Sequence, residues 1–252
     1  MMTTFTIKIA DRIAAVRAMF PGTRDHCRDY LFDGAADFTL EITPADIAFE
    51  REKSAREDQL EGNPIREFSD AYLETIAVQR KLAEQLFAWD TLLFHGSVVA
   101  VDGVAYLFTA KSGTGKSTHT RLWREVLGSR AVMINDDKPF LRLTEGGVLA
   151  CGSPWNGKHG LGSNLCVPLK AVCILERGEE NRICSIGARE ALPMLVQQSN
   201  RPLDRKWMPK YLDMLDKLAG GVEFYRLACN MEPGAALVSY QAMSGSGKDE
   251  EE

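Results

Sequence analysis

The chain has 252 residues, 45% hydrophobic and 26% charged, enough for one generous domain or for a domain with a small companion. Thirty Lys and Arg against 35 Asp and Glu leave a net charge of −5, which argues against non-specific nucleic-acid binding, since that requires a basic surface. No apolar run approaches the roughly 18–20 residues that span a bilayer. The opening Met1-Met2-Thr3-Thr4 lacks the blocks of a signal peptide. The expectation is therefore a cytoplasmic protein with neither nucleic acid nor membrane as partner. The six cysteines show no CxxC spacing, and in that compartment they are expected as reduced thiols that pack like small hydrophobes, not as a zinc site.

In chain order, Phe5, Ile7 and Ile9 alternate with polar residues and predict a half-buried strand, as do Phe38, Leu40 and Ile42 up to Pro44. Pro21-Gly22-Thr23 reads as a turn before a short helix through Tyr30. Glu50–Gly62 is charge-dense and poor in apolar residues, so a solvated loop or exposed hairpin is expected. Pro64 suits a first helical turn. The spacing of Phe68, Tyr72, Ile76, Leu82 and Leu86 then predicts an amphipathic helix over 65–88, packed on the next domain. This organisation predicts a small mixed α+β unit over 1–62 and a larger α/β domain over 63–243. The low-complexity acidic tail, 244–252, is expected to be disordered.

The larger domain reads as strands over 94–101 and 104–109 joined at Asp102-Gly103, a hairpin turn. A helix is expected over 117–126, then strands over 131–135, 140–143, 148–151, 169–175 and 182–186. Helices over 188–199 and 204–218, a strand over 222–228 and a helix over 234–242 complete the set.

The strongest chemical signal is Ala110-Lys111-Ser112-Gly113-Thr114-Gly115-Lys116-Ser117-Thr118, between a buried strand and a helix. That is the setting of a phosphate-binding (Walker A) loop: small residues let successive N–H groups turn towards phosphate, and the helix adds its positive end. Ser112, Gly113, Thr114, Gly115, Lys116, Ser117 and Thr118 are the candidate ATP contacts. Lys116 is placed for the β- and γ-phosphates and Ser117 for Mg²⁺. The usual first glycine is Ala110 here. Next, an apolar strand runs into Asn135-Asp136-Asp137, where acids can stand beside a nucleotide's Mg²⁺. Adjacent strand residues face opposite ways, so only one acid would face the phosphate unless the strand breaks there. His95, before the loop strand, reads on its own as a core residue. The loop 152–164 holds four glycines, Trp155 and Lys158, a composition that suits a mobile cap. The chain has neither a guanine-reading signature nor the motif set of a eukaryotic-type protein kinase.

Together, His95-Gly96, Ser112–Thr118, Asn135-Asp136-Asp137 and Pro154-Trp155-Asn156-Gly157-Lys158 resemble the HPr serine kinase/phosphorylase group, related to the ATP-dependent phosphoenolpyruvate carboxykinases. The resemblance spans about 92–186, weakening to about 243. It implies an α/β fold with a P-loop nucleotide-binding core of that type. It also implies an ATP- and Mg-dependent kinase acting on a hydroxyl of a peptide, protein or small molecule. By that resemblance His95, Asp136, Asp137 and Lys158 become the candidate catalytic residues and Ser117 and Asp136 the metal contacts, with Asp137 assigned as base and Asp136 as the Mg²⁺ contact and the reverse order left open. Ala110, and the lack of the Gly-rich stretch that true HPr kinases carry after the position of Leu175, mark a divergent branch, so HPr is not expected as substrate. A nucleotide-binding sensor and a carboxykinase-like lyase are the alternatives. Self-association and the reverse reaction are left open.

Overall fold

In the computed structural model, which describes residues 2–245, the chain divides into two units, one ending at Trp89 and one beginning at Asp90. The sequence pattern had placed that division at 62/63. Strands β1 (Thr3–Ile9) and β2 (Arg12–Ala18) form an antiparallel hairpin, turning at Ala10 and Asp11, both at positive φ. A short helix α1 (Pro21–His26) leads to β3 (Phe38–Glu41), which pairs parallel to β2. Helices α2 (Pro44–Leu60) and α3 (Asp70–Leu86) complete this mixed α+β unit.

Helix α2 overturns the expected loop at 50–62. Glu, Arg, Lys, Gln and Ala are good helix formers even where apolar residues are scarce. Thr43 and Asp46 form a capping box at the start. The buried face is ionic: Glu50 and Asp58 are both buried. Arg80 of α3 pairs with Glu50, Asp46 and Glu84, and Lys81 with Asp46. Arg66 grips Asp58 through two nitrogens at 2.7 and 3.0 Å. Burial opposes the charge on Asp46, but hydrogen bonds from Lys81, Thr43 and Arg80 hold its carboxyl down at about 2.

Helix α3 starts five residues later than expected, at the Ser69 cap, whose hydroxyl accepts from Tyr72 N at 3.2 Å. It belongs to the first unit because its buried Glu74 accepts hydrogen bonds from Met19 N, Phe20 N and the Thr23 hydroxyl, tying it to the entry of α1.

The second unit is a curled nine-stranded sheet. Its strands are β4 (Thr91–Leu93), β5 (Ser97–Val101), β6 (Val104–Thr109), β7 (Ala131–Asn135), β8 (Phe140–Thr144), β9 (Gly147–Cys151), β10 (Cys166–Arg177), β11 (Arg182–Ile186) and β12 (Glu223–Cys229). The order is β4-β8-β9-β10-β6-β5-β7, with β12 also beside β10 and β11 beside β12. The expected strand over 94–101 is broken at His95-Gly96. A Cβ at Gly96 would stand 3.1 Å from Leu107 and from the Phe108 carbonyl, a tight fit that favours glycine there. Strand β10 has two partners in succession: Cys166–Pro168 run antiparallel to β9, and Leu169–Ile174 run parallel to β6.

Helices α4 (Lys116–Leu127) and α7 (Pro233–Ser244) pack together on one face. Trp123 lies there among Tyr106, Phe108, Leu122, Ala235 and Met243. Its indole N–H donates to Ser239 Oγ at 2.8 Å, and His119 Nε2 meets the same hydroxyl at 2.9 Å. Helix α5 (Ala188–Gln198) packs on β12, and α6 (Met208–Gly221) on β8 and β9. The helix expected from 204 begins with a separate 3-10 turn, Arg205–Trp207, before α6. Among the described residues no helix is long and apolar enough to cross a membrane. Of the tail 244–252, residues 246–252 lie outside the described residues.

One expectation about the cysteines is corrected. Cys151 and Cys166 stand directly opposite in the antiparallel β9–β10 pair and form a disulfide, Cα to Cα 4.0 Å. Cys27 and Cys173 are buried free thiols, as the sequence led one to expect.

Candidate functional site

Strand directions decide where chemistry can gather. Strand β5 runs antiparallel to both β6 and β7. The start of β5 and the ends of β6 and β7 therefore share one edge of the sheet. His95 precedes the first, residues 110–115 follow the second, and Asp136-Asp137 follow the third.

After β6 the chain turns through Ala110–Gly115 into α4. Gly113 and Gly115 sit at φ +73° and +121°, conformations that L side chains rarely adopt, and Gly115 is the N-cap. Ser112 and Gly113 are exposed, Thr114, Ser117 and Thr118 half-buried, so the loop faces solvent with the helix start behind it. Lys116 is mostly buried, and its Nζ donates to the Ala110 carbonyl at 3.3 Å. Burial pulls its ammonium below the ordinary value, while Asp137 and Asp136 push the other way. Arg177, at the end of β10, donates to the Gly113 carbonyl at 2.7 Å and braces the loop.

Strand β7 ends at Asn135, so the alternation that would have separated the two acids does not apply. Asp136 and Asp137 lie in a bend, and Lys116 feels both charges. Asp136 is buried, its Oδ1 accepting from Ser97 Oγ at 2.6 Å; that hydroxyl also meets Thr120 Oγ1 of α4 at 2.8 Å. Asp137 Oδ1 lies 3.4 Å from His95 Nε2. Burial raises the Asp137 carboxyl, with Asp136 adding to the rise and Lys138 and Lys116 opposing it. Burial, with Lys138 and Lys116, lowers the His95 imidazole to about 3, against a hydrogen bond with Gln198. The neutral imidazole is therefore favoured beside Asp137, and a close contact between the two takes the tautomer that carries its proton on Nε2.

His95 supplies a prediction. With a depressed folded value, its neutral form contributes stability that is present above the ordinary 6.5 and is lost as pH falls towards about 3. Urea midpoints at pH 7 and 4.5 should show wild type losing more on acidification than His95→Gln. A constant gap would contradict the placement.

The segment 152–165 is not the free cap expected from its glycines. Gly152, Ser153, Pro154 and Trp155 are buried. Gly152 N donates to Leu165 O at 2.9 Å, and Ser163 bonds Ile134 O and Met133 O. The disulfide closes the base. Residues 157–160 form its exposed tip, and Gly162, Asn164 and Leu165 are exposed again on the way back. Gly157 lies against the acid turn: a Cβ there would stand 3.2 Å from that of Asp137. Lys158 is exposed on the next position, on a 3-10 turn over Gly157–His159, and makes no hydrogen bond or ion pair with the cluster among the described residues.

Ser97, Thr120, Ser153, Lys138 and Gln198 join the site without having been given a role from the sequence, and Asn156 had entered only as part of the Pro154–Lys158 run. Most are polar residues in unremarkable local sequence, brought in by pairings more than 15 positions apart. Lys138 alone had a local signal, being the cation that follows the two acids. Among the described residues no group of three or more His, Cys, Asp or Glu could hold a metal unaided.

A family model described as "SynChlorMet cassette protein ScmC" matches residues 65–238. No curated protein matches the chain. Among solved structures, "Structure of the Hpr(Ser) kinase/phosphatase from Coxiella burnetii" aligns at 14% identity and a TM-score of 0.36, over 62% of this chain and 97% of that one. An overlap that loose carries no functional argument.

Proposed function

We propose that this chain, which belongs to the family of the SynChlorMet cassette protein ScmC, is an ATP- and Mg²⁺-dependent kinase that moves a γ-phosphoryl group to the hydroxyl of a peptide, protein or small molecule. The observation that carries the reading is the convergence, at one sheet edge, of a glycine-bearing loop and helix N-terminus with Lys116, Asp136, Asp137 and His95.

In this reading the amides of 112–117 receive the phosphates, and Lys116 leaves the Ala110 carbonyl to follow charge onto the γ-phosphoryl oxygens. The Asp136 carboxylate and Ser117 hydroxyl are hard oxygen donors that suit Mg²⁺. Together with water and phosphate oxygens they would hold it without a dedicated protein cage. Bound there, the ion would neutralise charge on the transferring phosphate. Asp137 takes the acceptor's proton as the acceptor oxygen bonds to phosphorus and the bond to ADP breaks. Its raised carboxyl makes it a stronger base than a solvated aspartate. His95 orients that carboxyl and can share the proton. Lys158, one residue from the contact with Asp137, would reach the phosphate from the loop side.

Incubation with γ-labelled ATP, Mg²⁺, serine peptides and small hydroxyl compounds should give a labelled product that disappears on chelation. Binding without hydrolysis or transfer would instead favour a nucleotide sensor. Lys116→Ala should raise the barrier by about 2–4 kcal/mol, roughly a hundredfold or more in rate. Unchanged single-turnover rates in folded Lys116→Ala would sink the kinase reading.

A further inference from the structure

Asn135 is fully buried at the end of β7 and uses both ends of its side chain. Its Oδ1 accepts from Asp137 N at 2.9 Å and Lys138 N at 2.6 Å, fixing the acid turn. Its Nδ2 donates to Ser153 O and Ser153 Oγ, both at 3.1 Å, and to Asn156 Oδ1 at 2.7 Å, fixing the start of the 152–165 segment. Ser153 closes the circuit by donating to Lys138 O at 2.6 Å. Asn156 in turn covers Gly162, where any side chain would collide with it.

A buried amide needs partners, but a cap for a strand end needs only one or two. This one ties two segments 18–21 positions apart, one carrying Asp137, the other leading into Gly157 and Lys158. We infer that Asn135 is a positioning residue that makes the acid turn and the 152–165 segment one rigid unit, setting the Asp137 carboxylate relative to Lys158. The inference rests on the kinase reading for its effect on rate, but not for the tie itself. Loss of the tie lets both segments drift, and misplacement of a reacting group by about 1 Å can cost up to a hundredfold in rate.

Asn156→Ala cuts only the outer strand of the tie, at a half-buried residue whose loss the fold should tolerate. Asn135→Asp keeps the two acceptor bonds to the acid turn and removes the donors. Both are tested by steady-state Mg-ATP hydrolysis, with water as acceptor, and by amide hydrogen exchange in the free protein. Asn156→Ala should lower kcat about tenfold and Asn135→Asp more, with KM for ATP unchanged. Exchange should rise across 156–164 in both variants, and at the amides of Asp137 and Lys138 in Asn156→Ala. Faster loop exchange with unaltered kcat would overturn the positioning role, as would parallel losses of kcat, ATP affinity and thermal stability. A wild type that neither hydrolyses nor transfers would refute the kinase reading, and the exchange arm would then decide alone. Raised exchange at Asp137 and Lys138 in Asn156→Ala would support the tie, and unchanged exchange there would refute it.

Discussion

Asp137→Asn should leave ATP affinity intact and lower phosphoryl transfer about 10²–10⁴-fold, the range for removing a general base. The same change should not weaken the fold. Burial raises the Asp137 carboxyl in the folded chain, so folding favours its protonated form. The stability this gives is present below the ordinary carboxyl value and is lost as pH rises through the folded one. Near neutrality the ionised group is therefore a cost that asparagine lacks. Single-turnover transfer and urea denaturation at pH 7 check both halves together. An Asp137→Asn protein that transfers phosphate at the wild-type rate would remove Asp137 as base and point to Asp136. One that is inactive and also markedly destabilised would make the residue structural.

Arg80→Leu should destabilise the first unit by about 3–5 kcal/mol, the range for removing one partner of a buried ion pair. Arg80 serves Glu50, Asp46 and Glu84 at once, and Glu50 is 2% exposed on its side chain. Lys81 still pairs with Asp46, so the stranded charge is Glu50. Pairing the change with Glu50→Leu should recover most of the loss, because two apolar groups in place of a buried pair are often neutral or better. Urea denaturation measures the loss, and amide exchange in α2 assigns it to this unit. A cost under about 1 kcal/mol would mean that the network behaves like a surface ion pair.

Arg80 also shows why α2 was hidden from the sequence. Burial was inferred from apolar residues, and this helix buries Glu50 and Asp58 against arginines from later in the chain. Where signals were local, the sequence was informative. Asp102-Gly103 turns β5 into β6, and the run from Thr109 to Lys116 is strand, glycine loop and helix in the expected order. Convergence of His95 with Asp137 was carried only by resemblance, because it depends on β5 lying antiparallel between β6 and β7. Glycine content misread the 152–164 segment: its mobility was inferred from composition, while its anchors are Asn135, Ile134 and Met133, from another strand. The opposition of Cys151 and Cys166 follows from register, which spacing alone does not reveal.

Strand β10 places unequal limits on where the chain can change length. Its first residues carry the base of the 152–165 segment through β9, and its later ones lie along β6 and β12. A single insertion inside Ala171–Leu175, beyond the irregularity between Leu169 and Ala171, would turn every subsequent side chain to the opposite face and carry Cys173 and Leu175 out of the cluster around Trp123. It would also move the β9 half relative to the β6 half by one residue, about 3.3 Å. At 178–181, between β10 and β11, the chain runs through exposed and half-buried positions, and extra residues there shift no register. Length variation among relatives of this chain should therefore collect at 178–181 and be absent from β10.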